Sequence, residues 1–216
     1  MVGLRILLAD DHDVVRRGLR HLLEQNPEWE VCGEAVTGRE AVEMASKLMP
    51  HVVVLDLTMP ELNGLEATRQ IHKAQPATEI LVFTMHESEQ LIREVLAVGA
   101  RGYLLKSDAA ALIISAVETL ARHKPYFNPK VSETILSGFL RSSANPNDGQ
   151  LDLLTARERE VVQLLAEGKT NKQIARLSGV TAKTVETHRA TVMRKLDAHS
   201  VVDIVRYALR NKLSGI

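Results

Sequence analysis

Residues 52–56 read VVVLD: four apolar, mostly β-branched residues followed by Asp56. A short, continuously apolar run of this kind is typical of a strand buried on both faces of a sheet. Residues 4–9 (LRILLA) form a second run, which ends at Asp10 and Asp11. A strand buried on both faces needs helices on both sides, so the two runs predict an α/β fold.

Apolar runs and amphipathic helical stretches alternate on both sides of this segment. We predict strands at 4–9, 30–36, 52–55, 80–84 and 102–105, and helices at 13–25, 38–49, 64–74, 87–98 and 108–121. Five such units in series indicate a five-stranded, doubly wound parallel sheet. In such sheets functional groups gather at the carboxyl ends of the strands. The polar residues at those ends are Asp10, Asp11, Asp56, Thr84 and Lys106.

Composition bounds the class of protein. The chain has 216 residues, 45% apolar and 25% charged, with equal numbers of acidic and basic residues. We expect a soluble cytoplasmic protein without a membrane span or signal peptide, and the lone cysteine, Cys32, excludes an internal disulfide. Zero net charge, taken for the whole chain, argues against a nucleic-acid partner.

The charge is nevertheless divided along the chain. Residues 151–216 hold 12 Lys or Arg and 7 Asp or Glu, a net of +5, so residues 1–150 carry −5. Residues 141–150 (RSSANPNDGQ) have the composition of a linker. We therefore predict a domain over 1–124, a linker over 125–150 containing a helix at 129–140, and a basic four-helix domain over 151–216.

Three carboxylates, a lysine and a hydroxyl at neighbouring strand ends suit phosphoryl transfer onto a carboxylate. Mg²⁺ prefers oxygen ligands, so it would offset the repulsion among the acids. The alternative is that each residue is a solvated strand end or a helix cap. In the basic domain, Thr155–Glu158 and Thr170–Gln173 fit capping boxes, and Gly179 separates two helices as in a helix-turn-helix. A purely structural helical bundle is the alternative there.

The segments ILLADDHDVVRRGL, VVVLDLTMPELNGLEATRQI, ILVFT and ARGYLLK resemble, in order and spacing, the receiver domains of two-component response regulators. The resemblance implies that Asp56 is the phospho-acceptor, that Mg²⁺ is held by Asp10, Asp11, Asp56 and the carbonyl of Thr58, and that Thr84 and Lys106 bind phosphoryl oxygens. Thr84 and Tyr103 would form the switch, with Tyr103 turning inward on phosphorylation. Ser107 stands where the family often has a proline after a cis bond.

The string LTAREREVVQLLAEGKTNKQIARLSGVTAKTVETHRATVMRKL resembles the LuxR-type DNA-binding domain. Together the two matches resemble the NarL/FixJ response regulators, in which the resting receiver often covers the recognition helix. By position the resemblance implies DNA contacts from nine residues. These are Lys172, Lys183, Thr184, Glu186, Thr187, Arg189, Ala190, Arg194 and Lys195.

The resemblance implies a bacterial transcription factor and not an enzyme. Phosphorylation of Asp56 would release the basic domain and favour a homodimer on double-stranded DNA. The expected partners are a sensor histidine kinase or a small phosphodonor, with RNA polymerase a further candidate and no membrane. The alternatives are an aspartyl-phosphate hydrolase and a regulator that acts through protein contacts alone.

Overall fold

The computed structural model describes residues 3–108, 110–129, 131–133, 135–137, 153–211 and 213. The N-terminal part is a parallel sheet between two layers of helices, and the C-terminal part is all-helical. The strands are β1 (Leu4–Ala9), β2 (Trp29–Ala35), β3 (Val52–Leu55), β4 (Glu79–Thr84), β5 (Gly102–Leu105) and β6 (Tyr126–Phe127). The helices are α1 (Asp13–Leu23), α2 (Gly38–Leu48), α3 (Gly64–Ala74), α4 (Glu89–Ala97), α5 (Ala110–Ala121), α6 (Ala156–Ala166), α7 (Asn171–Leu177), α8 (Ala182–Lys195) and α9 (Val201–Arg210).

The sheet has the order β2-β1-β3-β4-β5-β6, with every pair parallel. The doubly wound α/β fold is confirmed, but the sheet has six strands where we predicted five. The extra strand, Tyr126–Phe127, pairs with β5 at one edge. Two residues after Pro125 are too few to show a strand periodicity. The predicted linker thus contributes its first residues to the sheet.

The two faces of the sheet alternate along each strand. Leu7, Val53 and Leu55 face α2, α3 and α4, whose inner sides include Ala41, Ile71 and Ile92. Ile6, Leu8 and Val54 face α1 and α5 and pack with Leu19 and Val117. This double burial explains why the strands are continuously apolar, and it fixes their carboxyl ends in one row.

The C-terminal helices enclose a separate apolar core, which includes Val162, Ile174, Val185, Val192 and Ile204. Complete capping boxes begin α6, α7 and α9, at Thr155, Thr170 and Ser200. Such caps satisfy backbone N–H groups that a helix start leaves unpaired, so the boundaries follow the sequence closely.

Between the two parts, the described residues from 129 to 137 are helical, as predicted for 129–140. The end of that predicted helix and the polar stretch 141–150 lie outside the described residues. Among the described residues, none of the helices is both long and apolar enough to cross a bilayer. The Lys106–Ser107 bond is trans, as is every peptide bond in the described part of the chain.

Candidate functional sites

Asp10, Asp56 and Lys106 follow β1, β3 and β5 directly, and backbone hydrogen bonds hold all three. The Asp10 amide donates to the carbonyl of Ala35 at 3.1 Å, and the Asp56 amide donates to that of Ala9 at 2.8 Å. The Lys106 amide donates to the carbonyl of Thr84 at 2.8 Å. These bonds continue the parallel ladders beyond the strands, so the side chains start from fixed positions at one edge of the sheet.

Lys106 joins the two buried carboxylates. Its Nζ lies 2.7 Å from Oδ2 of Asp10 and 2.7 Å from Oδ2 of Asp56, and both aspartates are almost wholly buried. Burial alone would lower the pKa of Lys106, but the hydrogen bonds from its ammonium group to both carboxylates raise the pKa overall. The ammonium group is therefore a permanent positive charge at this position.

Burial raises the pKa of the Asp56 carboxyl, and the hydrogen bond from Lys106 offsets part of that rise. The Leu57 amide donates to Oδ1 of Asp56 at 2.7 Å, while Lys106 holds Oδ2. Both oxygens of Asp56 thus have one defined donor each, and the carboxylate is oriented rather than free to rotate. An oriented, partly desolvated carboxylate is suited to act as a nucleophile.

A cluster of oxygen and nitrogen donors surrounds the outer side of this carboxylate. One ligand atom from each of Asp10, Asp11, His12 and Asp56 lies within 4.8 Å of the others. His12 Nδ1 is 2.8 Å from Asp11 Oδ1 and 3.1 Å from Asp10 Oδ1. Three carboxylates at this spacing match the hard oxygen ligands that Mg²⁺ requires, so the donor set fits the ion.

The residues of the predicted switch meet at the loop after β4. Thr84 is fully buried, and its Oγ1 accepts from the His86 amide at 3.3 Å. The Tyr103 hydroxyl donates to the His86 carbonyl at 2.6 Å, and Tyr103 is fully buried. Burial raises the pKa of Tyr103, which keeps the hydroxyl protonated as a donor. Tyr103 is therefore inward in this structure, with its hydroxyl held by the loop that follows β4.

His86 also contacts the loop that follows Asp56. Its Nε2 lies 2.9 Å from Oγ1 of Thr58, two residues beyond Asp56. One histidine thus connects the β3–α3 loop, through Thr58, to Tyr103, through its own carbonyl. Thr58 and His86 lie 28 positions apart in the chain, so the sequence alone does not show that they touch.

The predicted DNA-contacting residues lie in the helix-turn-helix of α7 and α8. Lys172, Lys183, Glu186, Thr187, Ala190, Arg194 and Lys195 are exposed, and Thr184 and Arg189 are half-buried. The opposite side of α8 places Val185 and Val192 in the domain core. The outer face of α8 is thus largely polar, with three exposed basic residues (Lys183, Arg194 and Lys195) and one acidic residue (Glu186). Among the described residues of the C-terminal domain, the seven exposed side chains are open to solvent in this structure.

The N-terminal domain instead contacts α6. Glu160, Gln163 and Glu167 form one stripe on this helix, which we call the docking stripe, and Gln163 is fully buried. Gln163 Nε2 donates to the carbonyl of Met59 at 2.9 Å, and its Oε1 accepts from the Asn63 amide at 2.8 Å and from Asn63 Nδ2 at 3.1 Å.

Two glutamates flank Gln163 in the stripe. Arg39 Nη2 donates to Glu160 at 2.7 Å, and the Glu61 amide donates to the Glu167 carboxylate at 3.1 Å and 3.3 Å. Met59, Glu61 and Asn63, in the loop after Asp56, therefore make most of these hydrogen bonds. The ion pair joins an N-terminal arginine to a C-terminal glutamate, although the N-terminal segment has a net charge of −5 and the C-terminal segment +5. Docking depends on where charges lie, because a net charge acts weakly through screened solvent.

A strand-end acidic pocket on a doubly wound sheet, followed by a helix-turn-helix domain, defines a regulator that joins an α/β domain to a DNA-binding domain. Residues 6–118 match the family model of the response regulator receiver domain. Residues 152–208 match that of bacterial regulatory proteins of the luxR family. The chain belongs to the two-component response regulators of the NarL/FixJ type, with a receiver and a LuxR-type output domain.

Known proteins resemble the chain along nearly its whole length. It is 40% identical to the transcriptional regulatory protein LiaR of Bacillus subtilis over 97% of this chain and 99% of that protein. It is 38% identical to the oxygen regulatory protein NreC of Staphylococcus carnosus, with the same coverage. The structure of RcsB from Salmonella enterica serovar Typhimurium, bound to promoter rprA with the phosphomimetic BeF₃⁻, is 26% identical with a TM-score of 0.60, covering 95% of this chain and 98% of that one.

The relatives are transcriptional regulators and not enzymes, so the chain is a DNA-binding transcription regulator. The hydrolase alternative and the purely structural bundle are therefore set aside.

Proposed function

We propose that phosphorylation of Asp56 controls sequence-specific DNA binding by this regulator, through release of the C-terminal domain and dimerisation. The main support for the proposal is the contact between the docking stripe and residues 59–63. These residues come just after Asp56 and Thr58 in the chain. A change in the acceptor loop therefore acts on the contact between the domains within a few residues of the reacting carboxylate.

In the pocket, a carboxylate oxygen of Asp56 would attack the phosphorus atom and form an acyl phosphate, while the bond from phosphorus to the donor (the imidazole nitrogen of a kinase histidine, or the leaving oxygen or nitrogen of a small phosphodonor) breaks and the donor leaves with that electron pair. Lys106 and Thr84 would bind the oxygens of the transferred group. Asp10, Asp11, Asp56 and the carbonyl of Thr58 would hold Mg²⁺, which supplies charge neutralisation on those oxygens. A phosphoryl group adds roughly −1.5 to −2 charges and new acceptor oxygens. Lys106 now binds both Asp10 and Asp56, so it would have to turn toward the new group.

The phosphoryl group would come from a sensor histidine kinase or a small phosphodonor. We place the protein in the bacterial cytoplasm, where the chromosome and such kinase domains meet, with RNA polymerase a further partner. The exposed apolar residues of α9, Val201, Val202 and Leu209, support a two-fold contact between phosphorylated copies. Lys172, the basic residues of α8 and the polar residues between them would contact the duplex.

The test is DNA affinity with and without beryllofluoride plus Mg²⁺, on a duplex carrying paired half-sites obtained by in vitro selection. We expect beryllofluoride to tighten binding by the wild type and by Glu43→Gln, an exposed carboxylate change on α2 that serves as the matched control. Asp56→Asn should not respond. Equal affinity in all states of the wild type would reject phosphorylation control.

A further inference from the structure

The docked arrangement leaves the DNA-contacting face of the C-terminal domain open. The docking stripe lies on α6, and α6 packs its other side against α8 and α9 in the domain core. All residues from Glu158 to Ala166 are buried, because one side of α6 meets the core and the other meets the N-terminal domain. The helix α6 thus stands between the N-terminal domain and the recognition helix.

Charge is divided between the same two sides. The carboxylates of Glu160 and Glu167 point to the N-terminal domain, where Arg39 and the Glu61 amide bind them. On the outer face, Lys183 and Arg194 are exposed to solvent. Docking therefore uses the side of the domain that carries Glu160 and Glu167, and it leaves Lys183 and Arg194 open to solvent, where DNA phosphates could reach them.

We infer that the docked, unphosphorylated chain binds a single DNA half-site through α8 as well as the released chain does. Docking then restricts how two copies are placed on paired half-sites, and does not decide whether one copy can bind. The inference rests on the proposed DNA-binding role of α8. It differs from inhibition by coverage, in which the resting domain blocks the recognition helix itself.

On paired half-sites, docking would affect how two copies are placed relative to each other. Two half-sites of a helix-turn-helix dimer lie about one helical turn, or 34–36 Å, apart. Each docked copy holds its N-terminal domain at a fixed position, because at least six hydrogen bonds join that domain to the docking stripe. Two docked copies would therefore bring their N-terminal domains onto the paired site as rigid parts, whereas released DNA-binding domains could be placed independently of them.

The experiment compares docked and released full-length chains on two duplexes, one with a single half-site and one with paired half-sites. The released form is Arg39→Glu with Gln163→Ala: the first places a carboxylate against Glu160, and the second removes the amide that binds Met59 and Asn63. In both domains these side chains lie outside the apolar cores. The matched control is Lys47→Glu with Gln25→Ala, which makes the same charge change at exposed positions.

Binding is measured by fluorescence anisotropy at about 50 mM salt, where phosphate contacts are strong. On the single half-site we expect the wild type, the control and the released variant to agree within about twofold, which is under about 0.5 kcal/mol. On paired half-sites the released variant should bind about tenfold tighter or more. Lys183→Ala should weaken half-site binding by the same factor in docked and released backgrounds.

A gain of about tenfold on the single half-site upon release would overturn the inference and leave phosphorylation control intact, because coverage would then be the mechanism. If Lys183→Ala weakens only the released form, the docked chain uses another face, and the inference is also wrong. If neither form binds a selected half-site at all, the DNA-binding role of α8 itself fails, and both proposals fall together.

Discussion

Lys106 is the residue on which the electrostatics of the pocket depend. It holds two carboxylates at 2.7 Å each, in a place where two buried negative charges would otherwise repel one another. In the proposed function the same ammonium group would later bind a phosphoryl oxygen, so it would have one role before transfer and another after it. The two aspartates fix the position of the lysine side chain in this structure.

Lys106→Met should separate these two roles. Without the ammonium group the carboxylates attract Mg²⁺ more strongly, so the dissociation constant for Mg²⁺ should fall by calorimetric titration. Phosphorylation by a small phosphodonor should slow by about 100-fold, the usual cost of removing one charged donor from a transition state. The exposed change Lys47→Met is the control and should alter neither. Unchanged phosphorylation would show that Lys106 is not a phosphoryl ligand.

The pKa of Glu167 depends on its burial in the contact between the two domains, so its protonation is a measure of docking. Burial raises the pKa of Glu167, with hydrogen bonds from Gln163 and the Glu61 amide opposing the rise. Because the pKa of Glu167 is raised in the docked state, Glu167 stabilises docking at low pH. This stabilisation is lost as pH rises through the pKa of the docked state. Glu160 acts in the opposite direction. Burial raises its pKa, but Arg39 and other donors lower the pKa overall. The stabilisation of docking by Glu160 is therefore lost as pH falls.

The Glu61 amide proton donates to Glu167, so its NMR chemical shift should follow the protonation of that carboxylate. We expect a transition with a midpoint above the ordinary glutamate pKa in the wild type. In Glu167→Gln the transition should disappear while docking at neutral pH is retained, because the neutral amide oxygen still accepts from Glu61. A midpoint below the ordinary value would contradict the burial of this carboxylate.

At the scale of elements, the packing of α3 against the end of β3 sets the position of Asp56. A Cβ added at Gly64 would lie 2.1 Å from the Asp56 carbonyl oxygen and 2.7 Å from Leu57 Cα. Both are backbone atoms, which cannot move without displacing the acceptor loop. The first residue of α3 is therefore glycine because the helix starts directly against the strand that it follows.

Gly64→Ala should destabilise the N-terminal domain by about 3 kcal/mol or more, since the overlap is with backbone. Gly18→Ala, within α1, is the matched control, because a Cβ there meets nothing within 4 Å. That change should stabilise the domain by about 0.5–1 kcal/mol, the usual gain of alanine over glycine in a helix. Urea denaturation midpoints measure both, and a neutral Gly64→Ala would show that the loop can shift.

At the scale of the whole molecule, the acceptor pocket and the docking stripe share the β3–α3 loop. A binding event at one end of that loop and a contact at the other are coupled, and the coupling acts in both directions. If phosphorylation loosens docking, loss of docking must favour the phosphorylated state by the same free energy.

The variant Arg39→Glu with Gln163→Ala should therefore hold beryllofluoride and Mg²⁺ more tightly than the wild type. We expect at least about fivefold, the lower end of ordinary allosteric coupling. Arg206→Ala, an exposed change on α9 outside the contact, should match the wild type. Equal affinity in all three would mean that docking and phosphorylation are independent.

The local sequence predicted most of the architecture. Apolar runs such as VVVL and GYLL gave the strands, and Asp56 and Lys106 followed them, so the acidic pocket was predictable as a set of strand ends. The capping residues Thr155 and Thr170 likewise placed the helices of the DNA-binding domain closely. Each of these signals lies within a few residues of the structure that it determines, which is why the chain alone carries them.

Only the tertiary structure decided how the two domains meet. In sequence, Glu160, Gln163 and Glu167 are an ordinary polar stripe of a surface helix. Their partners, Arg39, Asn63 and Glu61, lie at least 100 residues away in the chain. No periodicity or composition records such a contact, since it depends on the path of the chain between the domains. For the same reason the net charges of the two segments did not show that an N-terminal arginine would meet a C-terminal glutamate: the total charge of a domain does not say which of its faces carries a given side chain.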